Sequence, residues 1–224
     1  MVRVKVCGIT SLEDALVALE AGAYALGFVF ASSPRQIDPE TASRIISRLP
    51  PLVTKVGVFV DAPLARVKEV MAGCHLDLAQ LHGEESPEYC QELSPRAVKA
   101  FRVRDDGVLS QLPLYRLAAY LLDSYVPGVA GGSGRTFDWE IALQARKFGP
   151  IILSGGLNPE NVRQAIERVR PFGVDVSSGV EARPGKKDPE KLKAFFKAVM
   201  EASFAGETTG IPPVSQMKTG REKG

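Results

Sequence analysis

The sequence is short of cysteine, of net charge and of long apolar runs, and each shortage removes a class of protein. Cys7, Cys74 and Cys90 are its only cysteines, an odd number without metal-ligand spacing. Neither a disulfide framework nor a cysteine metal site is expected, and a reduced, cytoplasmic setting is. Lysine and arginine number 28 against 26 acidic residues, a net of +2. That balance makes no field to draw nucleic acid or an anionic membrane. No apolar run approaches the roughly 20 residues of a membrane span, and no leader is read ahead of Val2–Val6. The G-x-G-x-x-G of an open dinucleotide-binding sheet is also missing, since the first strand runs into Cys7-Gly8-Ile9-Thr10.

What remains is an ordinary globular mixture, 45% hydrophobic and 24% charged, which excludes a disordered chain. Short runs rich in β-branched residues alternate with helical patterns. Eight strands are predicted, over Arg3–Cys7, Ala25–Phe30, Thr54–Val60, Asp77–His82, Ala97–Val103, Ala119–Asp123, Pro150–Ser154 and Gly173–Ser177. Spreading 224 residues over eight units gives 28 each, the size of a strand–helix unit. Four helix starts share one chemistry: Asp38-Pro39-Glu40, Ser86-Pro87-Glu88, Asn158-Pro159-Glu160 and Asp188-Pro189-Glu190. In each, an oxygen-bearing side chain caps free N–H groups, proline takes the first helical position and glutamate meets the positive end of the dipole. Ser11 with Asp14 opens the first helix similarly, and Gly22 closes it.

Eight parallel strands with interleaved helices fit either an open sheet or a closed barrel. The glycine-rich turns follow strands six, seven and eight, where a (β/α)8 barrel places a phosphate. The expectation is therefore an α/β protein, a closed TIM barrel in one domain over residues 1–202. Residues 203–224 read as a polar, solvated tail.

Function in such barrels sits where strands end and βα loops begin. Cys7 ends strand one and Asp123 ends strand six, a candidate base and a candidate acid. A carboxylate closing an apolar barrel strand is costly unless paired or functional, and burial there suits a general acid. Gly131-Gly132-Ser133-Gly134, Ser154-Gly155-Gly156-Leu157 and Ser177-Ser178-Gly179-Val180 let backbone N–H groups converge on an anion. Arg35, after Ser32-Ser33-Pro34, carries a fork suited to a carboxylate. His82 and Gln80 alternate inward together. They are read either as orienting a polar substrate or as satisfying the core. Lys5 and Asp175 face inward on strands that become neighbours when the barrel closes, so they are expected to pair beneath Cys7, the lysine lowering the thiol pKa and the carboxylate keeping that lysine charged. Trp139 and Phe137 should pack the sixth helix, and Cys74 and Cys90 should be core.

Five motifs then carry a resemblance. Lys5-Val6-Cys7-Gly8-Ile9-Thr10, Gln80-Leu81-His82-Gly83-Glu84, Gly131 to Trp139, Ser154 to Asn161 and Asp175 to Glu181 are similar, in order and placement, to the phosphoribosylanthranilate isomerase family. The likeness runs from Val2 to about Ala202. It implies an Amadori rearrangement of N-(5-phosphoribosyl)anthranilate to a 1-deoxyribulose 5-phosphate, with no cofactor and no metal. By that resemblance Cys7 is the base, Asp123 the acid and Arg35 the grip on the anthranilate carboxylate. Gln80, His82 and Asp175 are expected to touch substrate. Gly132, Ser133, Gly134, Ser154, Gly155, Gly156, Ser177, Ser178 and Gly179 are expected to hold the phosphate. The expected partner is a small phosphorylated substrate, with no nucleic acid and no membrane, the chain being a monomer or homodimer. Two alternatives stand beside this reading. One is a histidine-pathway isomerase, which puts aspartate where Cys7 stands and needs phosphate loops in both halves. The other is a barrel that binds a sugar phosphate without turnover.

Overall fold

Burial on both faces of a parallel strand calls for near-continuous apolar sequence, and the second strand, Ala-Leu-Gly-Phe-Val, is buried at every residue. The computed structural model describes residues 2–124 and 136–205. Its strands are β1 (Arg3–Cys7), β2 (Ala25–Val29), β3 (Thr54–Phe59), β4 (Leu78–Leu81), β5 (Ala97–Val103), β6 (Tyr120–Ser124), β7 (Ile151–Leu153) and β8 (Gly173–Val176). They close in chain order into a parallel barrel, β8 pairing back onto β1. The helices between and after them are α1 (Leu12–Ala21), α2 (Pro39–Ile46), α3 (Leu64–Gly73), α4 (Pro87–Gln91), α5 (Val108–Gln111), α6 (Trp139–Ala145), α7 (Val162–Val169) and α8 (Pro189–Ala205). The expected eight-unit barrel is thus the observed fold, and α8 runs past the boundary expected at Ala202.

Local chemistry explains most helix ends. The Ser11 hydroxyl accepts from Asp14 N at 3.1 Å, and Gly22 closes α1 in the left-handed region at φ 112°. Asp38 accepts from Thr41 N at 2.8 Å and Ser86 from Tyr89 N at 3.3 Å, each with proline next. Asp188 accepts from Glu190 and Lys191 N ahead of α8. Asn158 departs from the expectation. Its side chain accepts from Glu160 and Asn161 N in a turn of its own, and α7 starts at Val162, three residues after Pro159. An asparagine that satisfies N–H groups two and three residues on can make a turn as readily as a helix cap.

The core is filled by apolar strand residues and the inner helix faces. Phe195 and Phe196, which left inward and outward packing open in the sequence, are both buried. Cys74, Cys90 and Trp139 are buried too, and Phe137 packs against the same core. One element lay outside the sequence reading. A short antiparallel hairpin, β9 (Glu181–Arg183) and β10 (Lys186–Lys187), follows β8. Its turn, Arg183-Pro184-Gly185-Lys186, is the signal that was there to find.

Candidate active site

Barrel closure puts Lys5 in register with Asp175, and the two form a buried ion pair, Nζ to Oδ1 2.8 Å. Both side chains are within a tenth of full burial. A buried ammonium needs such a partner. Burial alone would depress Lys5; the Asp175 charge, helped by Cys7, outweighs it and holds the ammonium above its ordinary value. Ser154 Oγ lies 3.4 Å from the other Asp175 oxygen.

Cys7 ends β1 directly above this pair and is 8% exposed. Room for its sulfur comes from the partner strand, where Gly27 stands opposite in register. A Cβ on Gly27 would come within 2.8 Å of Cys7 Sγ. Burial pushes Cys7 up, Lys5 and Lys187 pull it down, Asp175 opposes them, and the net direction is upward. Lys5 acts in the expected sense but does not overcome desolvation. Burial thus disfavours the thiolate and makes it, where it forms, the more basic.

Asp123 is the last residue but one of β6, 5% exposed, with Oδ2 3.1 Å from His82 Nε2. His82 Nδ1 lies 3.0 Å from Gln80 Nε2. Gln80 is buried on β4, so it and His82 form one chain leading to Asp123.

Arg35 reaches the mouth from the loop after β2, but its fork already has a partner. Nε and Nη2 donate to the two oxygens of Glu181, each at 2.8 Å. Glu181 also accepts from Lys187 Nζ at 2.8 Å, and that ammonium donates to the Cys7 carbonyl at 2.6 Å. Burial would raise Glu181, yet the hydrogen bonds and charges of Arg35 and Lys187 prevail and hold it below the ordinary glutamate range. Burial lowers Lys187, against the pull of Glu181. Sequence reasoning gave Glu181 and Lys187 no individual part. They come from the hairpin after β8, and no local motif advertises a lysine that folds back 180 residues onto the first strand.

One cleft at the C-terminal mouth is lined by Cys7, Arg35, Gln80, His82, Asp123 and Asp175. Ser154, Gly155, Gly156, Ser177 and Ser178 line it as well. Gly155 and Gly156 are both left-handed, at φ 85° and 66°, and a Cβ on Gly155 would strike the backbone N of Ser124. Ser177 Oγ donates to the Cys7 carbonyl at 3.1 Å, tying the eighth turn to the first strand. Gly179, expected with this group, sits behind it against the Leu157 carbonyl. Gly132, Ser133 and Gly134 lie outside the described residues. Among the described residues no group of three or more His, Cys, Asp or Glu is placed to hold a metal ion.

A closed (β/α)8 barrel with a buried thiol, a buried carboxylate and glycine turns around one mouth has the architecture of a TIM-barrel enzyme, whose sites lie at this end of the strands. Comparison with known proteins narrows this. The family model for N-(5'-phosphoribosyl)anthranilate (PRA) isomerase matches residues 4–198. The N-(5'-phosphoribosyl)anthranilate isomerase of Geobacter metallireducens is 57% identical over 198 residues, covering 88% of this chain and 98% of the relative. The crystal structure of the Thermotoga maritima isomerase superposes with a TM-score of 0.84 at 48% identity, covering 90% of this chain and all of that one. A phosphoribosylanthranilate isomerase in complex with reduced 1-(o-carboxyphenylamino)-1-deoxyribulose 5-phosphate gives 0.81 at 47% identity, with the same coverage. The chain belongs to the phosphoribosylanthranilate isomerase family.

Proposed function

We propose that this chain converts N-(5'-phosphoribosyl)anthranilate to 1-(o-carboxyphenylamino)-1-deoxyribulose 5-phosphate, with Cys7 as base and Asp123 as acid. The observation that carries the reading is the pair of buried strand-end groups lining one cleft, each with its own supporting partners. Asp123 gives its proton to the ring oxygen as the bond from that oxygen to C1' breaks, and the nitrogen lone pair closes a C1'=N iminium. Cys7, acting as the thiolate after its S–H proton has passed to solvent, then removes the C2' proton, and the C–H electrons neutralise the iminium as an enaminol that tautomerises to the ketone. A thiolate raised in basicity by burial suits abstraction from carbon.

The substrate has an anion at each end. Its phosphate is assigned to the turns at Ser154, Gly155, Gly156, Ser177 and Ser178, together with Gly132, Ser133 and Gly134, with Gly179 letting the eighth turn pack closely on Leu157. Its carboxylate is assigned to Arg35. A guanidinium has two edges that can each hold a carboxylate. Glu181 takes the Nε edge, so the grip falls to the Nη1–Nη2 edge. Asp175 is engaged with Lys5 and acts on the substrate through Cys7.

The test is turnover beside binding. Cys7→Ser and Asp123→Asn should each lower kcat by roughly 10²–10⁴ while affinity for a reduced product analogue stays within a few-fold. Near-normal turnover in either variant refutes the assignment, and retained binding in a wild type that does not turn over favours the sensor reading. The three free thiols support a reducing, cytoplasmic setting, and no described helix is long and apolar enough to cross a membrane. The Thermotoga maritima relative is a dimeric enzyme from which monomers were made. Light scattering on this chain decides between monomer and homodimer.

A further inference from the structure

Gln80 carries an unexplained cost. It is 2% exposed, its Nε2 lies 3.0 Å from His82 Nδ1, and its Oε1 is buried with no hydrogen-bond partner. A buried carbonyl without a donor is destabilising by about 1–3 kcal/mol. Turning the amide would strand the NH2 end, which has two donors, in its place. The observed orientation has a definite consequence for the imidazole. An amide nitrogen can only donate, so Nδ1 must accept and carry no proton. The one N–H of neutral His82 is then on Nε2, 3.1 Å from Asp123 Oδ2.

We propose that Gln80 is a positioning residue for the reaction, holding His82 as its Nε2–H tautomer so that His82 donates to Asp123 Oδ2 and leaves Oδ1 to protonate the ring oxygen. The inference rests on Asp123 being the general acid. When Asp123 gives its Oδ1 proton to the departing ring oxygen, it becomes a carboxylate. The Nε2–H bond then meets a full negative charge, and charge-assisted bonds are the stronger kind. His82 gains and loses no proton in the step. With the opposite tautomer, a lone pair on Nε2 would face the new carboxylate and oppose its formation. The backbone keeps the chain in place: His82 N donates to the Phe59 carbonyl at 2.8 Å, and Arg102 donates to the His82 carbonyl at 3.3 Å.

Two histidines in the whole chain, His75 and His82, make the tautomer directly readable. Imidazole ¹⁵N spectra should show His82 protonated at Nε2 and bare at Nδ1, with His75→Asn assigning the signals. Gln80→Glu replaces the donor by a carboxylate that can only accept. We expect it to draw the proton to Nδ1 and to lower kcat by roughly 10–100-fold, the range for a hydrogen bond to a charged group, with KM changed less than about threefold. Gln80→Met, neutral and near in size, should give a mixture of tautomers and a smaller loss, which keeps the test open if Gln80→Glu does not fold. A wild-type His82 protonated at Nδ1 overturns the proposal. So does a Gln80→Met chain that keeps a pure Nε2–H tautomer, or a Gln80→Glu chain whose proton moves while kcat does not. Failure of the acid assignment itself is separate: Asp123→Asn would then keep turnover, whatever the spectra show.

Discussion

Replacing Lys5 by methionine removes the ammonium beside Cys7 while keeping most of the apolar stem. The Cys7 thiol is already pushed up by burial, and Lys5 is the largest influence holding it back. Lys5→Met also leaves Asp175 buried without its 2.8 Å partner, a negative charge that pushes the thiol the same way. An opposite charge within 4–6 Å shifts a pKa by about 1–3 units. The midpoint of a thiol-alkylation profile at Cys7 should therefore rise by at least about one unit, and alkylation at neutral pH should slow about tenfold or more for the same loss of thiolate. Protection by a bound product analogue identifies the Cys7 signal against Cys74 and Cys90. Stability should fall as well, since breaking a buried pair costs about 3–5 kcal/mol, or roughly 6–20 °C in Tm for a chain of this size. The double variant Lys5→Met/Asp175→Asn removes both charges and should recover much of that Tm. Its Cys7 midpoint should fall below that of the single variant. A midpoint in Lys5→Met that stays put or moves down refutes the electrostatic account of the thiol.

Two further perturbations test the surrounding parts. Glu181 has a carboxyl held below its ordinary value, about 4.3 in unfolded chains. It therefore contributes stability above that pH, lost as pH falls through the lower folded value. Glu181→Gln should flatten the acid limb of a Tm-against-pH curve between about pH 4.3 and the end of the acid transition. It should also weaken binding of an anthranilate-bearing ligand by loosening Arg35. An unchanged acid limb would mean that Arg35 and Lys187 do not stabilise this carboxylate. Gly155→Ala places a methyl on the Ser124 backbone at a left-handed position. Affinity for inorganic phosphate, read by calorimetry, should fall at least about tenfold if misplaced N–H groups lose one charged hydrogen bond, and wild-type affinity would remove this turn from the phosphate site.

Local chemistry made much of this protein legible from its sequence. Eight strands, most helix starts and the strand-end places of Cys7 and Asp123 follow from side-chain alternation, proline, and capping oxygens within a few residues. The Lys5–Asp175 pair was also legible, because closure of a barrel makes the first and last strands neighbours by topology alone. What failed was of two kinds. Asn158 has local options that differ by one hydrogen-bond choice, and the packing of the seventh turn selected the turn over the cap. The rest needed tertiary structure. Lys187 and Glu181 reach the site on a hairpin whose lysine is 180 residues from the carbonyl it meets. The Gln80–His82–Asp123 chain spans two strands separated by a third. The direction of the Cys7 shift is a balance of burial against charges from β1, β8 and the hairpin. Burial is a sum over everything packed around an atom, and only the folded barrel sets that sum.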